Sequence, residues 1–473
     1  MDRSTAIIIT LVVYKVVLLA LGIWGARRTR DTTDYYLGGR TLGPWVAAIS
    51  ASASGASAWT ILGVSGAAFA SGLSALWIFP ACVGGIVFNW LVLAPGVRRL
   101  SLKRNALTIT ELLAGPPGSR LSAPIRIIAS LIIIVSLGFY VCSQFQGAGK
   151  TFGATFDIER TESVLLGAGI VVLYTMVGGF WAVSLTDTLQ GLLMAATAVA
   201  LPIAALVEVG GIGGLIDGLQ QTSPDYLSIT KDMPLWAGIG FVAGSLGIGL
   251  GFPGQPHIIV RLMALRAGAQ AIRQARFIAL GWSVIVFTGM LLLGFCGRLL
   301  LPGLLDGEQV FVEATNILFS PVVAGVVIAA VLSAIMSTAD SQLLVASSSV
   351  TQDLGLGGSN SRTMLLRSRL VVLTLSAGAV IAAVVNDESI FNQVLFAWGA
   401  MGAAFGPLLI VTVLRGPVSP VRTLLAMVVG CTASVVAYRS GLQDSEKYIE
   451  RVVPYLLAFA VIYCPTPGRR RTS

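Results

Sequence analysis

Two carboxylates stand in stretches otherwise free of charge. Asp187 and Asp340 each lie within a long apolar run. An Asp at the centre of a lipid-embedded helix costs roughly 2.5–3.5 kcal/mol on insertion scales, so such a group binds a cation or is kept protonated by burial. Asp340 belongs to the oxygen-rich run Ala334-x-x-Ser337-Thr338-x-Asp340-Ser341, which occupies little more than one face of a helix. Hydroxyls and carboxylates are the ligands a hard cation prefers. Divided into spans, the chain offers no Lys or Arg at comparable depth between 235 and 351, so the expected partner is a bound cation. Other chemistry is sparse. His257, the only histidine, is expected to make a local hydrogen bond rather than relay protons. The five cysteines lack ligand spacing and read as small hydrophobes. Gly147-Ala148-Gly149-Lys150-Thr151 imitates a phosphate loop, but Gln144 stands where that pattern requires glycine. An enzyme would need a nucleophile–base pair or a metal cluster, and neither is legible. Lys15, mid-run in the first apolar stretch, reads only as a contact within its helix or at a lipid defect.

The elements that must carry these residues are set by composition. Of 473 residues, 55% are hydrophobic and 11% charged, against about 25% charged in soluble domains. Such a chain folds in lipid, which excludes a cytosolic enzyme, a nucleic-acid-binding domain and a disulfide scaffold. A spanning helix needs about 20 apolar residues. Thirteen runs qualify, at 6–26, 43–70, 74–96, 125–149, 162–180, 183–207, 235–260, 277–301, 315–351, 365–385, 389–414, 419–438 and 452–466. No A-x-A-like cleavage site follows the first, which is expected to be retained. With the N-terminus outside, the inner loops hold 22 basic residues, Arg261 among them, and the outer loops 8. The excess of inner Lys and Arg places the N-terminus out and the C-terminus in. Thr108-x-x-Glu111 reads as a capping box on a short inner helix before the Gly115–Gly118 break. No soluble domain interrupts this single membrane domain of residues 1–473.

Two runs are poor helices. The second contains Ser50-Ala51-Ser52-Ala53-Ser54-Gly55-Ala56-Ser57-Ala58, and the seventh contains Gly244, Gly247, Gly249, Gly251, Pro253, Gly254 and Pro256. Unwound backbone at membrane depth is tolerated only beside a cavity or an ion. Packing alone also explains small-residue stripes, but it does not require the two prolines. The broken runs are five spans apart, each opening a set of five. Transporters built from inverted repeats place their solute and coupling ion at such a pair.

Five segments, collinear over nearly the whole chain, resemble the sodium:solute symporter family: Asp34–Pro44 (DYYLGGRTLGP), Gly178–Asp187 (GGFWAVSLTD), Gly254–Arg261 (GQPHIIVR), Met336–Leu344 (MSTADSQLL) and Ala397–Pro407 (AWGAMGAAFGP). The resemblance implies an all-α integral membrane protein of about thirteen helices. Helix 6–26 would be peripheral, 43–207 and 235–414 the two five-helix repeats, and 419–466 two C-terminal helices. It implies a main sodium site from the carbonyls of Ala53, Ala56 and Ala334 with the hydroxyls of Ser337 and Thr338. A second cation site would use Asp187, Asp340 and Ser341 together with Ser337. The solute would lie beside Ser57, Tyr140, Ile248, Phe252, Pro253 and Pro256. Proline-carrying members have Asp at the position of Gly55, and Trp and Tyr at those of Ile248 and Phe252. The expected activity is sodium-coupled import of a small solute, proline or a related amino acid first. Alternatives are another small carboxylate or zwitterion, proton coupling, or a membrane solute sensor, although a sensor usually carries an output domain. No cofactor is expected beyond Na+ as coupling ion. The expected partners are solute, sodium and the lipid bilayer of the cell membrane, with no nucleic acid and no obligate protein partner.

Overall fold

The computed structural model describes the chain except residues 1–2, 28–31, 116–120, 177–178, 358–360, 387 and 465–473. All thirteen apolar runs carry helix in it, and among the described residues ten helical stretches are long and apolar enough to cross a membrane. Among the described residues the only extended pairing is an isolated bridge between Leu42 and Leu265. The Gly115–Gly118 break, Gly178 and the basic tail Arg469–Arg471 fall wholly or partly outside the described residues.

In chain order the principal helices are α1 (Arg3–Ala26), α2 (Pro44–Gly55), α3 (Val64–Ser71), α4 (Ile78–Phe88), α5 (Ala94–Arg104), α6 (Ile109–Ala114), α7 (Ser122–Phe156), α8 (Arg160–Thr175) and α9 (Phe180–Glu208). They continue as α10 (Leu235–Gly247), α11 (Pro256–Ala264), α12 (Ala269–Leu300), α13 (Pro321–Ser348), α14 (Ser361–Val385), α15 (Ile390–Leu414), α16 (Pro420–Arg439) and α17 (Val453–Tyr463). The run 315–351 proves to be two elements. A short helix, Val310–Leu318, ends before Ser320, whose extended backbone leads into Pro321 at the first turn of α13. Thr108 caps its helix as expected, its hydroxyl accepting from Glu111 N–H at 3.0 Å, but the Glu111 carboxylate accepts from Leu107 N–H at 2.8 Å rather than from Thr108's own, so the box closes one residue early.

Burial sorts the helices into layers. The most apolar stretches of α13 and α15 are 83% buried, those of α1 and α14 only 28%. The first two are therefore central and the last two peripheral, with apolar side chains turned outward, as helices facing lipid require. The segment before α2 positions the centre. Gly38, Gly39 and Arg40 have φ of 56°, 62° and 58°, a left-handed turn cheap only for the glycines. It delivers Leu42 to Leu265: Leu42 N–H donates to Ala264 C=O at 3.2 Å, and Arg266 N–H to Leu42 C=O at 2.9 Å. The start of one broken helix is thereby tied to the end of the other.

Candidate solute and cation site

The first break lies where the sequence placed it. Helix α2 stops at Gly55, and Ala56 leaves the helical region at φ −104°, ψ 87°. Ser and Gly compete poorly as helix formers, and here neighbouring side chains take up the freed backbone. Gln144 of α7 accepts from Ala58 N–H at 3.0 Å. Ser57 Oγ accepts from Trp59 N–H at 3.1 Å and from the Tyr140 hydroxyl at 3.2 Å. Across the gap, Ser337 Oγ stands 3.2 Å from Ala53 C=O and 3.3 Å from Ala334 C=O, while Thr338 Oγ1 donates to Ser54 C=O at 3.1 Å. Ala53, Ala334, Ser337 and Thr338 thus meet, with Ala56 at the break itself. The assembly is neutral, buried and made of oxygen, ligands that suit a small monovalent cation.

The second break is a tight 3₁₀ stretch, Ile248–Gly254, followed by extended Gln255 and then α11. The Trp398 indole N–H donates to Ile248 C=O at 3.1 Å, and the Asn89 amide to Phe252 C=O at 3.0 Å. The Gln255 amide lies 3.1 Å from both Gly251 C=O and Trp398 C=O. Glycine is obligatory at 251, where a Cβ would fall 1.9 Å from the Trp398 ring. Unwinding and close packing coexist here, so the small-residue explanation accounts for part of this segment. Phe252 meets Trp398 edge-on at 4.7 Å between ring centres, and Tyr140 lies 6.3 Å from the same indole.

The expected solute residues border separate small spaces, while Ser57 and Tyr140 bond each other. Phe252 faces a cavity of about 10 Å³ with Gly55, Asn89 and Ile258. Pro256 faces one of about 20 Å³ towards the Arg40 end, and Ile248 one of about 120 Å³ beside Phe391 and Arg451. Pro253 is buried within the 3₁₀ stretch. The first two spaces are near the size of one water, so admitting a solute requires the helices to move. His257 departs from expectation. Neither ring nitrogen has a hydrogen-bond partner, and the ring packs edge-on to Tyr140 at 6.0 Å.

The charges require a larger correction. Arg261, assigned by span to an inner loop, is 1% exposed and pairs with Asp187, Nη2 to Oδ2, at 2.9 Å. The expectation that no cation lies at the depth of the carboxylates is therefore wrong. The unwound stretch lets α11 enter the protein as a buried helix, carrying Arg261 one turn beyond His257 against α2. Its Nε donates to Ser50 Oγ at 3.0 Å, its Nη2 also to Ser341 Oγ, and its plane lies over Phe180. Asp187 Oδ2 further accepts from Ser50 at 2.8 Å and Ser54 at 3.0 Å. Asp187, Asp340 and Ser341 do converge, but with a guanidinium among them. The sequence reading gave no site role to Arg261, Gln144, Asn89, Gln255 or Trp398. For Arg261 and Asn89 the available signal was a lone polar group between apolar residues, as in Val260-Arg261-Leu262 and Phe88-Asn89-Trp90; Gln144, Gln255 and Trp398 carried no such signal.

A multi-pass membrane bundle in which the breaks of two interrupted helices border one small cavity defines a transport protein. Solved structures share its architecture: a Na+-coupled sialic acid symporter in a substrate-bound outward-open state gives a TM-score of 0.79 at 19% identity, covering 98% of this chain and 97% of that one. MhsT in complex with L-phenylalanine gives 0.55 at 14% identity, covering 88% and 97%. The sodium:solute symporter family matches residues 35–430. The high-affinity proline transporter PutP of Bacillus subtilis (strain 168) is 35% identical over 436 residues, 90% of this chain and 91% of that protein. The sodium/proline symporter of Escherichia coli (strain K12) is 34% identical over 451 residues, 92% and 88% of the two chains. The chain belongs to the sodium:solute symporter family.

Proposed function

We propose that this protein is a sodium-coupled symporter importing a small zwitterion, proline first, by alternating access. The observation that carries the reading is the Ser337 hydroxyl held between the carbonyls of Ala53 and Ala334. An ion binding there would bridge the break in one helix to the central helix α13. The break in the other, at Ile248–Gly254, lies beside the expected solute residues, so ion and solute would bias the same rearrangement. In this reading 43–207 and 235–414 are the two repeats, the Arg40 end is cytoplasmic and the N-terminus outside, as the basic residues indicate. Coupling is energetically sufficient: at 100 mV and a tenfold gradient one sodium supplies roughly 2.3 plus 1.4 kcal/mol, enough for about 500-fold accumulation.

A less polar amino acid than proline is the second reading. It is favoured by the wall of the central cavity, where Ile86, Trp90, Phe252, Ile258 and Phe287 meet little but Asn89 and Ser52 as polar company. Purified protein in proteoliposomes, given labelled proline under an inward sodium gradient, tests both. Sodium-driven accumulation with proline as best competitor supports the first, and displacement at lower concentration by a branched or aromatic amino acid the second. No sodium-driven uptake of any small solute would refute the symporter reading.

A further inference from the structure

The Arg40 end of α13 carries a buried carboxylate outside the clusters described above. The helix closes in one wide turn, Ser349–Asp353, and Asp353 is 6% exposed. It lies roughly 20 Å along the axis from Ser337. Its Oδ1 accepts from the Thr108 hydroxyl at 2.6 Å, whereas its Oδ2 has no hydrogen-bond partner. The hydroxyls of Thr110 and Ser349 are buried and equally without a partner. These three residues line one cavity of about 20 Å³, which Pro256, Arg261 and Ser341 also border. Neighbouring bonds fasten the elements around it: the Tyr36 hydroxyl meets Thr351 Oγ1 at 2.7 Å, and the Gln352 amide donates to Glu111 at 3.0 Å.

Polar oxygens left unpaired in a dry interior are costly, a charged one most of all. A space of this size admits one water or one bare ion of similar radius, and charge separates the two. Arg261 is matched by Asp187, which leaves the Asp353 carboxylate as the unmatched charge on this wall. Outside the wall, Glu111 and Arg126 act on it with opposite signs, and the phenol of Tyr36 stands nearby. One carboxylate and two hydroxyls are ligands of a hard cation. We propose that Asp353, Thr110 and Ser349 form a staging site that takes up sodium after it leaves Ser337 and Thr338 and before it enters the cytoplasm. The site deepens the symporter reading and rests on it. Its ligands come from α6 and from the end of α13, so an ion there bridges the two elements. Sodium already inside the cell, entering from that face, therefore holds the bridge closed and slows the next cycle.

Right-side-out membrane vesicles, loaded with graded internal sodium at a clamped membrane potential, separate the two faces. The readout is the initial uptake rate of labelled proline, or of the amino acid that displaces it best. Asp353→Asn keeps an oxygen for Thr108 and removes the charge. It should raise the internal sodium concentration that halves uptake about tenfold, with the external half-saturating concentration unchanged. Thr110→Ala and Ser349→Ala should each raise the internal value about threefold, and they carry the test if Asp353→Asn fails to accumulate. Ser337→Ala, by contrast, should raise both values. Internal inhibition like that of wild type, in accumulating Asp353→Asn or in both alanine variants, would overturn the proposal and leave the cavity to a water. An equal external shift in those variants would overturn it too, since the change would then have reached the Ser337 site. No sodium-driven uptake in wild type would instead remove the symporter reading beneath it.

Discussion

Helix α13 meets the first broken helix twice, one turn apart, and the two meetings are electrostatic opposites. At Ser337 and Thr338 it presents hydroxyls to the carbonyls of Ala53 and Ser54, and no formal charge touches them. At Ser341, about 5 Å further along the axis, it meets Ser54 and a guanidinium–carboxylate pair in which both side chains are at most 1% exposed. A neutral oxygen cage leaves a cation's charge to be supplied from solution. A cluster that brings its own cations has no such need. The sequence shows oxygen-bearing side chains at both levels, so oxygen ligands alone do not separate an ion site from a structural network. The separation comes from which cations the other helices deliver.

The strongest way to break the contrast is to unbalance the charged level. Removing one member of a buried ion pair costs about 3–5 kcal/mol, because the survivor is stranded. Arg261→Met should therefore lower the unfolding temperature in detergent far more than Ser337→Ala, and pairing it with Asp187→Asn should recover much of the loss. Equal unfolding temperatures for Arg261→Met and Ser337→Ala would remove the distinction. A smaller effect follows from charging the neutral level. A Cβ at Gly55 would lie 3.0 Å from Ile258 Cδ1, the yielding end of a side chain. Gly55→Asp should thus be tolerated and place a carboxylate beside the helix break. About 1.4 kcal/mol of added attraction would lower the half-saturating sodium concentration about tenfold. An unchanged sodium requirement would show that the break does not hold the ion. Smallest is the solute side. Ile248→Trp with Phe252→Tyr should improve proline affinity a few-fold in competition uptake. The gain is limited because Trp398 already packs against Phe252 and bonds Ile248 C=O. An unaltered competition profile would show that these positions do not touch the solute.

Much of this was legible in the chain itself. The apolar runs carry helix, and both interruptions fall where Ser/Gly and Gly/Pro density placed them. Ser337 does meet Ala53, because a hydroxyl-rich face and freed carbonyls have few other ways to be satisfied in lipid. Arg261 was misread for a definable reason: a count of apolar residues cannot tell how far an unwound stretch shortens a span or where the following helix turns. Gln144 and Gln255 were missed because they serve backbone groups freed by the breaks, and which groups those are emerges only in three dimensions. Lys15 was visible from the start, but the side chain it meets, Met336, is 321 positions away on another helix.

The most direct test of the central claim is the sodium dependence of proline uptake in proteoliposomes carrying Ser337→Ala or Thr338→Ala. Each substitution removes one oxygen from the neutral level and leaves the charged level intact. Hydrogen-bond-like contacts to a charged group are worth about 1.5–3 kcal/mol. The half-saturating sodium concentration should rise roughly tenfold to a hundredfold in each variant, with the maximal rate at saturating sodium largely kept. Wild-type sodium dependence in both variants, at normal abundance in the membrane, would contradict the assignment of the coupling ion to the break in the first helix.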